Sequence, residues 1–464
     1  MKKKNILFIC LIFCLSLFLI TFVTCESDYL WHIKAGEYMF NNHILKHDVF
    51  SWSMLGKSWI SHEWLFEYIL YGLSIIFPKT HLIVYGFIST FTLLLILFLT
   101  NKKDYLKNIP FTLIWITFAM ILTSYMQGRP NLLSFIFLAL TVYLLYDNYQ
   151  NDDSKLIYFI PLITILWSNI HGGSANLSYI LCFIFYICSF FSFNYPKIIS
   201  NKTTKIKRRR YLITFFLCLL SININIHGFT MLIYPYKNMM DNTMLTLIQE
   251  WRPLNLNVLN NYPYILLVLL IFSVLILSKK KINFIDLVLF LFSVFLGFKS
   301  IRFCVYTYII MSYIVFKYIN QRKEDKGTNL VIIILSISFL SLFIINFNNI
   351  STNINKKELS KDTIKLLIKE KPSKLYNDYN LGGELIYNNI PVFIDGRADL
   401  YSPNILKDYI IINNTSMNYK DLLNKYEFDY YIIDKYSNIN EYLKENNSYT
   451  LIKEDSNYLL YKKN

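Results

Sequence analysis

The chain has 464 residues, 54% of them hydrophobic and 17% aromatic, with long apolar runs through the first three quarters. Such runs exceed what one soluble core can hold, so the composition excludes a soluble globular protein and indicates a polytopic membrane protein. The formal net charge of +15 lies before residue 347, because the tail after it has 16 basic and 16 acidic residues, and this asymmetry favours membrane-facing loops over nucleic-acid binding.

Eleven apolar runs approach the length of a membrane-spanning helix. They lie at about 5–24, 81–100, 109–127, 131–147, 157–170, 174–193, 211–224, 263–278, 283–298, 303–319 and 328–346. The start MKKK, with no small-residue cleavage motif after the first run, favours an uncleaved first helix. A further run at 64–77 contains Glu67 and is too short to span, which predicts a helix lying in the membrane interface.

The basic residues predict the orientation of these runs. With residue 1 in the cytoplasm, the inner segments, including 101–107 and 321–326, hold 20 lysines and arginines, against 9 in the outer segments before residue 347. This distribution satisfies the positive-inside rule. The sequence therefore predicts a membrane domain at 1–346, with its first outer loop at 25–80, and an extracytoplasmic domain at 347–464.

The tail has the pattern of a small α/β domain. Segments rich in β-branched and aromatic residues are bounded by turn formers, which predicts strands at 373–379, 383–389, 391–399 and 426–434, a helix at 356–371 and a terminal hairpin at 447–463. In the segment IDGRADLY, Asp395 and Arg397 flank Gly396. These two residues either cap a site from the outside or bind each other in a structural turn.

The segment ESDYLWHIKAG, at 26–36, follows the first run directly. Carboxylates at the exit of a first helix, facing a dry pocket, are suited to general-base catalysis on a hydroxyl acceptor. The loop also carries nitrogen and oxygen ligands suited to a divalent cation. A third interpretation is a solvated interfacial loop anchored by its aromatic residues. The residues concerned are Glu26, Asp28, His32, His62 and Glu63.

Other ionisable residues occur at the outer ends of the runs. Arg129, between two runs, is suited to a forked contact with a phosphate or to contact with lipid headgroups. His171 and His227 each precede a glycine at a helix end, where the imidazole either contacts a substrate or caps the helix. Two further segments supply the carboxylate Glu250 and the cations Arg252 and Arg302. Cations beside a carboxylate are suited to binding an anionic lipid phosphate. All seven histidines lie on this side, which predicts a site at the outer membrane face.

Together these motifs resemble the GT-C superfamily. DYLWHIKAGEYMF and HDVFSWSMLGKSWISHEWL resemble the first loop of its bacterial lipopolysaccharide-sugar transferases and dolichyl-phosphate-mannose–protein mannosyltransferase-like group. An RP between helices, HGG at a helix end, an EW loop and a late DGRADLY extend the resemblance over most of the chain.

This resemblance implies transfer of a sugar from a polyprenyl-phosphate carrier to a glycan, lipid or protein acceptor outside the bacterial cytoplasmic membrane. It also implies that a carboxylate near the end of the first helix acts as base or binds the acceptor. That role passes to Asp28 with Glu26 as its partner, although many relatives have adjacent acidic residues where this chain has Glu26-Ser27-Asp28. Three residues are expected to hold the departing phosphate, whose growing charge they would stabilise: Arg129, Arg252 and Arg302.

The expected fold is a polytopic α-helical membrane protein with about 11 transmembrane helices, GT-C-like, and a C-terminal extracytoplasmic α/β domain. The only cofactor considered is a divalent cation. No GxxxxGK[ST] motif is present, so a nucleotide-driven pump is excluded. The rival functions are a lipid or glycan transporter or flippase, for which Asp286 is the notable ionisable residue within a run, and a non-catalytic scaffold for envelope assembly.

Overall fold

The computed structural model describes residues 2–105, 109–319, 327–354 and 358–464. Its first part is almost entirely helical. The helices there are α1 (Lys2–Leu19), α2 (Ser27–Asn41), α3 (Trp64–Ile76), α4 (His81–Tyr105), α5 (Ile109–Met120), α6 (Asn131–Gln150), α7 (Ile160–Ile170), α8 (Leu177–Cys188), α9 (Lys205–Ser221), α10 (Thr230–Met239), α11 (Asn242–Leu247), α12 (Tyr262–Leu277), α13 (Phe284–Lys299), α14 (Cys304–Ile314) and α15 (Thr328–Ile354).

Four segments of the described helices have the length and apolar composition to cross a membrane: Asn5–Phe22, His81–Thr100, Asn131–Gln150 and Thr328–Ile354. Shorter apolar helices coincide with several of the other predicted runs, and tilted or re-entrant helices of this kind occur where neighbouring helices cover them. The described helices therefore agree with a multi-pass membrane protein, while the number of crossings stays a prediction. Of the basic inner segments used for the orientation, 321–326 and part of 101–107 lie outside the described residues.

One boundary and the structure of one loop differ from the prediction. Helix α15 continues past residue 346 to Ile354, because Ile350 and Ile354, one helical turn apart in an otherwise mostly polar segment, still pack against the core of the membrane helices. The first outer loop contains two helices, α2 and α3, of 15 and 13 residues. Helix α3 corresponds to the run predicted to lie in the interface, and its position relative to a membrane stays a prediction.

A short sheet links two of the predicted inner segments. Its strands are β1 (Phe193–Asn194), β2 (Ile198–Ser200) and β3 (Ile282–Asn283), in that order. Strand β2 pairs antiparallel with β1 and parallel with β3. The sheet was not predicted from the sequence.

The C-terminal domain contains a four-stranded sheet with the order β4-β5-β7-β6. The strands are β4 (Leu375–Asn377), β5 (Tyr430–Asp434), β6 (Tyr449–Glu454) and β7 (Tyr458–Lys463). Strands β4 and β5 are parallel, and β7 pairs antiparallel with β5 and β6. The helices are α16 (Lys361–Glu370), α17 (Gly382–Tyr387), α18 (Ala398–Tyr401), α19 (Asn404–Asn413), α20 (Tyr419–Tyr426) and α21 (Ile439–Glu445).

The helix, the hairpin and two of the four strands predicted for this domain are confirmed. The strands predicted at 383–389 and 391–399 are wrong. The first segment forms α17, which packs against α2. The second makes a single bridge, from Val392 to Ser51, because the first outer loop rather than a neighbouring strand satisfies its backbone.

Helix α2 is packed between two hydrophobic cores. Its residues Tyr29 and Ile33 belong to the core of the membrane helices, whereas Trp31 and Ala35 belong to the core of the C-terminal domain. The N-terminus of α2 is therefore held at the junction between the two parts of the molecule.

Candidate active site

Two carboxylates of the site lie at the N-terminus of α2. Glu26 occupies the N-cap position in an extended conformation, and Asp28 lies in the first helical turn. Acidic side chains are favoured there by the helix dipole. The indole nitrogen of Trp31 donates a hydrogen bond to Asp28 Oδ1 at 3.2 Å, which fixes the carboxylate relative to the helix.

Arg129 connects three carboxylates. Its Nη2 lies 2.9 Å from Glu26 Oε2 and 2.8 Å from Asp28 Oδ2, and its Nη1 lies 3.0 Å from Glu250 Oε1. Gln127 also donates a hydrogen bond to Glu26. Burial raises the pKa of Glu26, with Arg129 opposing and the neighbouring carboxylates adding to the effect. We call Glu26, Asp28, Arg129 and Glu250 the Arg129 cluster.

In this geometry Arg129 pairs with carboxylates, and its expected contact with a phosphate stays a prediction. Both terminal nitrogens of its guanidinium already bind carboxylates, so the fork predicted to hold a phosphate is occupied. Arg129 orients Asp28, and the cluster has two more negative than positive groups.

A second cluster surrounds Glu63. Its carboxylate lies 3.4 Å from His32 Nε2, 3.4 Å from His62 Nε2 and 3.5 Å from His171 Nε2. Burial opposes ionisation, but the imidazoles, His62 foremost, hold the pKa of Glu63 well below its usual value. Glu67, one helical turn along α3, lies 3.3 Å from His32 Nδ1. We call Glu63 and the three histidines the Glu63 cluster.

Arg302 borders the Glu63 cluster. Its Nη2 donates to His171 Nε2 at 2.9 Å, and its guanidinium lies 5.3 Å from the centre of the Trp251 ring. Because arginine can only donate, His171 Nε2 carries no hydrogen and this imidazole is neutral. Burial lowers the pKa of His171 to about 3. The positive charge of Arg302 adds to this shift, and the negative charge of Glu63 opposes it.

Residues of both clusters line one cavity of about 1130 Å³, while His171 lies behind its wall, 3.5 Å from Glu63. The cavity lies where four parts of the chain meet. They are the N-terminus of α2, the N-terminal end of α3, the loop at 249–252 and the C-terminal domain. The cavity wall therefore offers carboxylates at one place and a guanidinium with imidazoles at another. Its lining includes Asp28, Glu63, Arg129, Arg302 and Tyr379.

Besides His171, three of the predicted site residues, Arg252, His227 and Asp395, do not line this cavity, and a fourth, Arg397, is engaged in structural contacts. Arg252 is exposed and His227 is half-buried, and neither lines this cavity. Asp395 is fully buried and Arg397 nearly so, and their charges bind each other, with Nη2–Oδ2 at 2.7 Å. Arg397 also binds Asp48 of the first outer loop at 2.6 Å. Of the two interpretations offered for this segment, the structural one accounts for these contacts, although Arg397 also borders the cavity.

The structure adds residues that the sequence analysis did not select for the site. Glu67 is a fully buried carboxylate in an apolar helix, and a charged residue in such a run is itself a signal of function. Tyr234 hydrogen-bonds to His62 and to Asp399. No sequence spacing indicates Tyr234, because its partners lie far from it in the chain.

Two glycines allow the C-terminal domain to approach the start of α2. A Cβ at Gly396 would overlap Asp28 Oδ1, and a Cβ at Gly383 would overlap the backbone oxygen of Ser27. The nitrogen of Gly383 also donates to Ser27 Oγ at 3.1 Å. The sequence GRAD therefore places backbone, not side chain, against the candidate base.

Metal ligation is not indicated by the side-chain geometry. Among the residues that the structure describes, no group of three or more histidine, cysteine, aspartate and glutamate side chains could hold a metal ion. The ligands considered from the sequence are divided between the two clusters: Asp28 pairs with Arg129, whereas His32 and His62 pair with Glu63.

Asp286 belongs to a separate buried group. It accepts hydrogen bonds from Tyr146 and Tyr318 and pairs with Lys317 at 3.3 Å. A buried carboxylate with three partners is satisfied as a structural contact, so it does not favour the transporter interpretation.

The described chain combines a mostly helical part, a C-terminal sheet domain and a polar cavity between them. Two solved structures of an archaeal oligosaccharyltransferase from Archaeoglobus fulgidus are similar to it in fold. One, tethered with an acceptor peptide containing the NVT sequon, has a TM-score of 0.54 at 11% identity and covers 91% of this chain and 68% of that chain. The other is AglB in complex with an inhibitory peptide and a dolichol-phosphate, with a TM-score of 0.54, 11% identity and coverage of 93% and 70%.

No protein-family model and no curated protein matches the chain. At 11% identity the structural similarity shows the fold alone. The resemblance to the GT-C superfamily is thus confirmed at the level of the fold.

Proposed function

We propose that the protein is an integral membrane glycosyltransferase that moves a sugar from a polyprenyl-phosphate carrier to an acceptor hydroxyl at the outer membrane face. The observation that carries this proposal is Asp28, an oriented carboxylate on the wall of a cavity that also holds Arg302 and the Glu63 cluster. The wall with Asp28 suits an acceptor hydroxyl that loses a proton, and the wall with Arg302 suits the anionic phosphate of the carrier.

In the proposed reaction the acceptor oxygen attacks the anomeric carbon, and the bond from that carbon to the carrier phosphate breaks. The acceptor proton passes to Asp28, and the phosphate leaves with the bonding electron pair. A positioned general base contributes roughly 10²- to 10⁴-fold to such a step. Arg129 and Trp31 hold Asp28 in place, which supports this role.

Arg302 is the cation best placed for the departing phosphate. It contacts a neutral imidazole and the face of Trp251, and no carboxylate of the described residues is in direct contact to cancel its charge. This contrasts with Arg129. Fixed positive charge in a partly dry cavity stabilises the negative charge that develops on a leaving group.

The lipid tail of the carrier has an apolar path beside the cavity. Helix α3 carries exposed apolar residues toward its C-terminal end, with Ile75 and Ile76 at 50% and 68% exposure, while its N-cap residue Glu63 belongs to the site. We therefore place carrier entry along α3, consistent with an interfacial helix.

The function is tested with purified protein in proteoliposomes supplied with radiolabelled polyprenyl-phosphate sugars and membrane-derived acceptors. Movement of label from the carrier into an acceptor, inhibited by unlabelled polyprenyl phosphate, is the expected result. Absence of transfer from every carrier-linked sugar, or transfer directly from nucleotide sugars, would reject the proposal and leave the scaffold alternative.

Gly396→Ala is expected to lower transfer about 100-fold, since displacing a catalytic group by about 1 Å can cost that much. The added methyl group would overlap Asp28 Oδ1 and push the carboxylate from its place. Gly72→Ala in α3 is the matched control, because a Cβ there meets nothing within 4 Å. Equal rates for the two variants in the proteoliposome assay would contradict the close approach.

A further inference from the structure

A hydrogen-bonded chain joins the C-terminal domain to the cavity wall. Asp399, in α18, accepts a hydrogen bond from the Tyr234 hydroxyl at 2.9 Å, and the same hydroxyl lies 2.9 Å from His62 Nδ1. The rings of Tyr234 and His62 are 4.8 Å apart at their centres. Tyr234 is 5% exposed, so water does not replace these contacts. We call Asp399, Tyr234 and His62 the relay.

The proton positions in the relay follow from donor and acceptor chemistry. A hydroxyl has one hydrogen, and an ionised carboxylate can only accept. Tyr234 therefore donates to Asp399, and its oxygen accepts from His62 Nδ1. The carbonyl oxygen of Ile60, 3.4 Å from the same nitrogen, is a second acceptor and favours this arrangement over one in which Tyr234 donates to His62.

The other nitrogen of His62 also faces an acceptor. Its Nε2 lies 3.4 Å from Glu63 Oε1, and Glu63 is ionised. Hydrogens on both nitrogens make His62 an imidazolium. Burial opposes that charge, but Glu63 and Asp399 together raise the pKa of His62. His62 and His171, which both contact Glu63, therefore differ in charge. His171 stays neutral because its Nε2 accepts a hydrogen bond from Arg302.

We propose that Asp399, acting through Tyr234, is a positioning residue that keeps His62 protonated and oriented at the cavity wall. His62 lines the cavity with 21% of its side chain exposed, so it offers a second cation beside Arg302. Its use for the carrier phosphate rests on the proposed function, whereas its protonation by the relay does not.

The relay makes the charge of the cavity depend on domain docking. Tyr234 and His62 belong to the membrane part, but Asp399 reaches them only when the C-terminal domain is in place. His171 and His227, two further titratable groups that interact with His62, are cationic or neutral, and the nearby carboxylate Glu67 contacts Ser61 and His32. Removing Asp399 would therefore leave Glu63 as the only anion in contact with the imidazole among the residues that the structure describes.

The proposal is tested by solid-state NMR of ¹⁵N-histidine-labelled protein in lipid bilayers, titrated with pH. The chain has seven histidines, and His62→Gln identifies the His62 signals by subtraction. Asp399→Asn and Tyr234→Phe are each expected to lower the pKa of His62. Asp421→Asn, an exposed aspartate of the same domain, and Tyr236→Phe, on the same helix as Tyr234, are matched controls expected to leave it unchanged.

A neutral His62 near pH 7 in the unaltered protein would overturn the proposal, as would an unchanged His62 pKa in Asp399→Asn. If Asp399→Asn does not fold, as judged by the other histidine signals, Tyr234→Phe decides alone. The titration requires no substrate, so an intact relay in a protein without sugar transfer rejects only the proposed function.

Discussion

Asp28→Asn is expected to lower sugar transfer by roughly 10²- to 10⁴-fold, the contribution of a positioned general base. Asparagine keeps the shape of the side chain and can still accept from Trp31, but it cannot take up the acceptor proton. Binding of the carrier should change little, because Arg302 and the Glu63 cluster are untouched. The measurement is the rate of label transfer in proteoliposomes at saturating donor.

Glu26→Gln separates the base from its electrostatic surroundings. Glu26 shares Arg129 Nη2 with Asp28, so both substitutions remove one carboxylate from that guanidinium. A large loss confined to Asp28→Asn assigns the base to Asp28, whereas equal losses mean that the two acids act together. Glu37→Gln, farther along α2 and paired with Lys34, is the control for substitution on the helix. Unaltered transfer by Asp28→Asn would reject the site.

Much of the membrane part could be predicted from the sequence, because hydrophobicity and length are local properties. The runs beginning at residues 5, 81, 131 and 328 correspond to long helices. The tail was harder. The alternation in GELIYNN resembles a strand, yet these residues form α17 because burial against α2 outweighs the weak local preference. Such tertiary effects are not visible in a window of seven residues.

The location of the site was predictable, but its partnerships were not. The one-sided placement of the ionisable residues indicated that Asp28 and Arg129 lie close together, and both line one cavity, with His171 contacting Glu63 behind its wall; their role as a site stays a prediction. The carboxylate partners of Arg129 could not be predicted, since Glu26 and Glu250 lie more than a hundred positions away from it in the chain. A single sequence does not show which residues so far apart in the chain are close together in the folded protein.

Arg397→Met is expected to destabilise the docked C-terminal domain by about 3–5 kcal/mol, the cost of breaking a buried ion pair by removing one partner. Arg397 binds Asp395 through two nitrogens and Asp48 through a third, and it lies over the ring of Trp59 at 4.8 Å. Methionine would fill the space but would leave two fully buried carboxylates without a counter-charge. The measurement is the unfolding temperature in lipid nanodiscs, with limited proteolysis of the C-terminal domain.

Lys435→Met is the matched control, because the Lys435–Glu454 pair is exposed and such pairs contribute about 0–1 kcal/mol. Adding Asp48→Asn and Asp395→Asn to Arg397→Met should restore part of the stability, since the uncompensated charges are then gone. Equal unfolding temperatures for the Arg397 and Lys435 variants would contradict the assignment. Gly396 and Asp399 lie within two residues of Arg397 in the chain, so loss of docking should also displace Asp28 and lower the pKa of His62. Arg397→Met should therefore lower stability, sugar transfer and the pKa of His62 together.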